Sequence, residues 1–119
     1  MRLVLIEWAR FMNRCIWSWH GVVEIWCSEP SFRTWLLINL ISAIFAVSLD
    51  LSGVERALIL SIGILVLAME LMNSAIERAI DYISEDIHPL AKAAKDAASA
   101  AVALTAVAGG VAWLVILVG

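Results

Sequence analysis

Three long apolar segments constrain this chain more than any other feature. They run from about Thr34 to Leu49, from about Val54 to Ala79 and from about Ala97 to Val118. A helix needs roughly 20 apolar residues to cross the ~30 Å hydrocarbon core of a bilayer. The second and third segments meet that length outright, and the first is expected to recruit flanking residues. The chain has 119 residues, of which 63% are hydrophobic, and its mean hydropathy is +0.94. Soluble domains are roughly 45–50% apolar, and small ones bury the smallest fraction of their surface. Lipid must therefore solvate much of this chain. The expected fold class is an all-α membrane protein in a single domain, 1–119. It comprises a surface helix over 1–32 and membrane helices over 33–49, 54–80 and 93–118.

The first thirty residues follow a different pattern. Trp8, Phe11, Met12, Cys15, Trp19, Val22, Val23 and Trp26 recur at spacings of three and four, marking one helical stripe. Glu7, Arg10, Arg14 and Glu24 lie away from it. Five of the six tryptophans fall within residues 1–35, and Trp favours the membrane–water boundary, where its ring is buried and its N–H stays wet. The pattern predicts an amphipathic helix lying on the membrane surface, although the same stripe could instead pack on the chain's own helices. After Arg2 the apolar run is too short for a cleavable signal peptide, since Glu7 and Arg10 interrupt it. Cys15 and Cys27 lack metal-ligand spacing and read as free thiols.

Basic residues set the expected orientation. Arg2, Arg10, Arg14 and Arg33 precede the first span, and Arg78, Lys92 and Lys95 flank the second connection, against Arg56 alone near the first loop. The positive-inside rule then places the N-terminus and the second connection in the cytoplasm and the C-terminus outside. The first connection, Asp50 to Gly53, reads as a tight turn. In the second, roughly Asp81 to Lys95, Pro89 disfavours helix at His88, so a break is expected there, with the third membrane helix starting in water beyond it. Gly109 and Gly110 suit close helix packing, with lipid-facing filler as the alternative. The net charge of −3, with no Lys/Arg-rich run, gives no support to nucleic-acid binding.

Chemistry concentrates at one membrane edge. Glu70, Asn73, Glu77 and Asp81 follow spacings of three, four and four, which place them on one helix face. With the second span starting near Val54 on the outer side, Glu70 sits ~24 Å in at ~1.5 Å per residue, near the cytoplasmic edge. A carboxylate at the bilayer centre costs roughly 2.5–3.5 kcal/mol on insertion scales, less toward the edge, and marks function by default. The competing reading is a helix–helix hydrogen bond for Glu70 and a solvated helix end for Asp81. Lys95 and Asp96 reach the same level at the start of the third span, as does Glu29 before the first. Carboxylates converging from different elements make a hard oxygen site suited to Mg²⁺. Lys95, near the positive end of its helix, suits phosphate. Together these parts resemble a phosphoryl-transfer site, although neither G-x-x-x-x-G-K-[ST] nor a kinase G-x-G-x-x-G occurs.

The stretch Glu70-Leu-Met-Asn73-Ser74-Ala75-Ile76-Glu77, followed by Asp81, resembles the E-x-x-N-[ST]-A-I-E-x-x-x-D signature of the prokaryotic diacylglycerol kinases. Ala94-Lys95-Asp96-Ala-Ala-Ser99-Ala100-Ala101 resembles that family's A-[KR]-D-x-x-[SA]-[AG]-A element, and Glu29-Pro-Ser-Phe32-Arg33 its E-x-x-F-R element. The resemblance covers nearly the whole chain in order, length and span count. It implies a homotrimer in the bacterial inner membrane, with active sites between protomers at the cytoplasmic face. It also implies ATP with Mg²⁺ as phosphoryl donor and a membrane lipid alcohol as acceptor. By position, the resemblance makes Glu70 the catalytic base beside the acceptor hydroxyl and gives Glu29 and Glu77 the metal. Asn73 would orient the site and Lys95 would neutralise phosphate. Arg10 and Asp96 would handle nucleotide, Ser99 and Trp113 would contact the lipid, and Asp81 and Arg33 would support the site.

Three departures bear on lipid choice and on the geometry at Glu29. His20 stands where better-known members carry Lys, Trp35 occupies an often polar position, and Pro30 follows Glu29 directly. Diacylglycerol is the expected acceptor, favoured by Phe32-Arg33 and the long surface helix, with undecaprenol as the alternative. A proton-coupled exporter of this size needs a midplane carboxylate and usually four spans, which this sequence lacks. A purely structural membrane subunit leaves the acidic edge cluster unexplained.

Overall fold

Proline and serine punctuation divides the chain into four helices. The computed structural model describes all 119 residues and is all-helical: α1 (Arg2–Ser28), α2 (Pro30–Ser48), α3 (Gly53–Ile83) and α4 (Pro89–Val118). The last three are long and apolar enough to cross a membrane.

Each joint has a local cause. Pro30 disfavours helix at the residue before it and suits the first position of a new one. Glu29 is accordingly extended, with φ −111° and ψ 106°, so the surface helix ends at Ser28 rather than at residue 32. The α2–α3 turn is closed by a capping box: the Glu55 backbone N–H donates to Ser52 Oγ at 3.3 Å, and the Ser52 N–H donates to Glu55 Oε2 at 2.7 Å. Arg56 then reaches back, donating to the carbonyl of Ala46 in the last turn of α2 (3.0 Å), which that helix end leaves unpaired, and to that of Leu51 in the turn (3.2 Å). The second connection is shorter than its polar composition suggests. α3 continues through Asp81 to Ile83, and α4 begins at Pro89 with His88 Nδ1 accepting from the Leu90 N–H.

The spans pack as a thin bundle. Ala46, Ile59 and Ala112 form its buried centre, one residue from each span, with Leu51, Ile62, Trp113 and Ile116 against them. Trp113 Nε1 donates to Ser42 Oγ at 2.8 Å, tying α4 to α2. Gly63 lets α3 approach α2, because a Cβ there would lie 2.7 Å from Asn39 Oδ1. Gly109 meets Ile62 of α3, whereas Gly110 faces open space. Only nine of the 119 residues are buried. The remaining apolar surface must face lipid or other chains, since water would leave it unsolvated.

α1 stands apart from the bundle over most of its length. Ile25 is its one buried residue, and Trp8, Phe11 and Trp19 are 62%, 54% and 67% exposed. The N-terminal part of the tryptophan stripe therefore does not fold back on the chain's own spans. Only the stripe's C-terminal end does so: Trp19 and Trp26 line an apolar groove shared with Phe32 and Leu36 of α2 and Leu67 and Leu71 of α3.

Candidate active site

α3 carries polar groups where the rest of the bundle is apolar. Glu70 and Ser74 are the two polar residues among the nine buried ones, at 4% and 2% exposed. They lie one turn apart, and Asn73 and Glu77 continue the same face. The face opens into a cavity of about 340 Å³ lined by Glu29, Ser31, Glu70, Asn73, Glu77 and Ser99, with Trp35 at its side. Glu29 reaches it from the extended joint between α1 and α2, and Ser99 from the first turns of α4. The joint and α3 thus bring three carboxylates to one cavity, and α4 adds a hydroxyl.

Asn73 gives the cavity a chemical preference. Its Nδ2 donates to Glu77 Oε1 at 3.0 Å, while its Oδ1 is buried with no donor. A buried acceptor left unpaired costs about 1–3 kcal/mol, so the site favours something that supplies a positive or hydrogen-bonding group. Glu29, Glu77 and the open Asn73 oxygen form a hard donor set that fits Mg²⁺, which needs only one or two protein carboxylates beside phosphate oxygens and water. No cluster of three carboxylate, imidazole or thiolate residues is arranged to hold a metal without such help.

The other expected residues lie elsewhere. Lys95 Nζ donates to Asp81 Oδ1 at 2.5 Å, and Lys92 pairs with Asp96. These four line a second, more polar cavity of about 220 Å³ beside His88. Within one chain, Lys95 and Asp96 are therefore neighbours of the carboxylate cavity, not walls of it. Arg10 is farther away on exposed α1, paired with Glu7 at 2.6 Å. Arg33 donates to the carbonyls of Trp26 (3.1 Å) and Cys27 (3.5 Å), capping the end of α1. Trp113 lines a deeper cavity between the spans, with Asn39, Ser42 and Gly63. Trp35 borders both this cavity and the carboxylate one.

The structure adds residues that the sequence reading passed over. Ser31 and buried Ser74 line the carboxylate cavity; Ser74 already lay within the quoted signature. Arg78 is the larger omission. It donates to Glu24 Oε1 at 2.5 Å and to Ser28 Oγ at 2.6 Å, and it lies 3.8 Å from Glu29 Oε1. No spacing rule links residues some 50 positions apart, so periodicity could not have found this cluster.

Comparison with known proteins places this sequence in a family. The sequence profile described as "Prokaryotic diacylglycerol kinase" matches residues 16–117. A diacylglycerol kinase of Pseudomonas aeruginosa is 42% identical over 112 residues, covering 92% of this chain and 89% of the relative. The diacylglycerol kinase of Escherichia coli K12 is 33% identical over 109 residues, with the same coverage. The undecaprenol kinase of Bacillus subtilis is 34% identical over 110 residues, again with 92% and 89% covered. A profile spanning most of the chain, and relatives above 30% identity over nearly all of it, settle membership: this chain belongs to the prokaryotic diacylglycerol kinase family.

Proposed function

We propose that this chain transfers the γ-phosphoryl group of MgATP to the hydroxyl of diacylglycerol, giving phosphatidic acid. The observation that carries the reading is the buried Glu70 carboxylate, which shares a cavity at the end of a membrane span with Glu29, Glu77 and an Asn73 oxygen lacking a donor. Family membership supports the lipid kinase class, and the 42% identical relative is named for diacylglycerol.

In this reading Glu70 accepts the proton of the lipid hydroxyl as the oxygen attacks phosphorus. Its depth in α3 suits an acceptor that stays in the bilayer. Glu29 and Glu77 would hold the metal, and the Asn73 amide fixes the Glu77 carboxylate through its hydrogen bond. Mg²⁺, when bound with ATP, supplies charge neutralisation across the phosphate oxygens. Lys95 and Asp96 serve the nucleotide from the adjoining polar cavity, where Asp81 holds the Lys95 ammonium. Ser99 and Trp113 face the lipid, Arg10 reaches nucleotide from the surface helix, and Arg33 supports the Glu29 joint from α2.

The chain works as a homotrimer in the bacterial inner membrane, with its N-terminus and second connection in the cytoplasm and its C-terminus outside. The exposed apolar surface supports assembly, and the carboxylate cavity needs neighbours to shield it from lipid. The chain acts as a single domain, 1–119, in which Glu29 and Pro30 form the joint between the surface helix and the first span.

Purified protein in lipid vesicles, given γ-labelled MgATP with diacylglycerol or undecaprenol in parallel, tests the acceptor. Diacylglycerol should be phosphorylated at least tenfold faster. A clear preference for undecaprenol would transfer the same mechanism to the polyprenol.

A further inference from the structure

We infer that Arg78 is a positioning residue for Glu29, coupling the seating of the surface helix to the metal side of the site. The inference rests on the proposed kinase reading for its activity readout, but its geometry stands independently.

Glu29 occupies an unusual place. It is a single extended residue between two long helices. Its carboxylate direction therefore follows the angle between α1 and α2. α1 is poorly anchored, with Ile25 as its one buried residue, so buried contacts alone fix that angle weakly. Two arginines brace the joint. Arg33 of α2 caps the carbonyls of Trp26 and Cys27, and Arg78 reaches across from α3.

Arg78 follows Glu77, so its side chain leaves the helix about 100° away from the cavity face. Its guanidinium meets three residues at the α1 end and the joint: Glu24 Oε1 at 2.5 Å, Ser28 Oγ at 2.6 Å and Glu29 Oε1 at 3.8 Å. Ser28 Oγ in turn donates to the Glu24 carbonyl at 2.9 Å. A planar guanidinium can hold several partners at fixed angles, which a lysine ammonium on a flexible stem cannot match. An isolated exposed ion pair is worth little, but charge-assisted bonds made together restrain geometry. The looser 3.8 Å approach leaves Glu29 free to turn an oxygen to a metal ion while Arg78 limits where the carboxylate can go.

The experiment uses the purified full chain in phosphatidylcholine vesicles. Initial rates are measured against Mg²⁺ at fixed ATP, and separately against diacylglycerol. Mn²⁺ binding in the presence of ADP is followed by electron paramagnetic resonance as a readout independent of turnover. Arg78→Ala should raise the half-saturating Mg²⁺ at least fivefold, weaken Mn²⁺ binding to a similar degree and leave half-saturating diacylglycerol within twofold. Arg78→Lys should fall between Ala and wild type. In a Glu29→Gln background, Arg78→Ala should add less than twofold to the Mn²⁺ dissociation constant. Three results would overturn the role: Mn²⁺ binding by Arg78→Ala within twofold of wild type, an undiminished Arg78 effect without the Glu29 carboxylate, or equal weakening for metal and lipid. If the wild-type chain phosphorylates no lipid, the kinase reading fails, and the Mn²⁺ titrations alone still decide whether Arg78 positions Glu29.

Discussion

Glu70 and Glu77 lie two turns apart on one helix face, yet their surroundings suit them to different roles in the proposed reaction. Glu70 is buried against the bundle, whereas Glu77 is half-buried and held by the Asn73 amide. A buried carboxylate beside a lipid hydroxyl suits proton transfer, and an accessible one suits a metal. Glu70→Gln keeps the shape but cannot accept the proton. It should cut phosphoryl transfer by roughly 10²–10⁴-fold while leaving the helical circular dichroism spectrum unchanged. Residual activity above about a tenth of wild type would remove Glu70 from the base role. Glu77→Ala should instead raise the Mg²⁺ needed for half-maximal rate, with diacylglycerol saturation little changed. Unaltered Mg²⁺ dependence would argue against a ligand.

The helices show which parts of the architecture a sequence makes readable. The three spans were legible because a long apolar run needs no tertiary information to declare itself, and Glu70, Asn73 and Glu77 because helical spacing alone puts them on one face. Pro30 was a sufficient signal for the break at Glu29, although the sequence reading extended the surface helix to residue 32. The polar second connection likewise concealed that α3 continues to Ile83. The Arg78 cluster and the separation of Lys95 from the carboxylate cavity were not legible, because both depend on which turns face each other after packing. At this scale the Ser52–Glu55 capping box also has a measurable value. Ser52→Ala should lower stability by about 1 kcal/mol, read as an earlier midpoint on titrating the micelle-bound protein with a denaturing detergent. An unchanged midpoint would mean that the cap adds nothing to the packed helix.

The whole chain exposes far more apolar surface than water tolerates, and its carboxylate cavity is open at one side. Closed symmetric assembly would shield both, and it would let Lys95 or Arg10 of one chain reach the carboxylates of another. Inactive Glu29→Ala and inactive Glu70→Gln proteins, unfolded together and reassembled in lipid, should then regain activity. A mixture that stays inactive despite verified subunit exchange would confine each site to one chain. Topology is open to the chain's own thiols. Cys15 and Cys27 are both free and exposed, and both precede the first span. A membrane-impermeant maleimide should label them in inside-out vesicles and not in intact spheroplasts, and the reverse pattern would invert the orientation. The central claim is that a carboxylate at the end of a membrane span drives phosphoryl transfer to a lipid. The most direct measurement supplies γ-³²P-labelled MgATP to the purified chain and to Glu70→Gln in vesicles containing diacylglycerol, and then separates the lipids. The account predicts labelled phosphatidic acid from the wild-type chain and at most a few per cent as much from the variant; label absent from lipid with the wild type, or equal with both proteins, would contradict it.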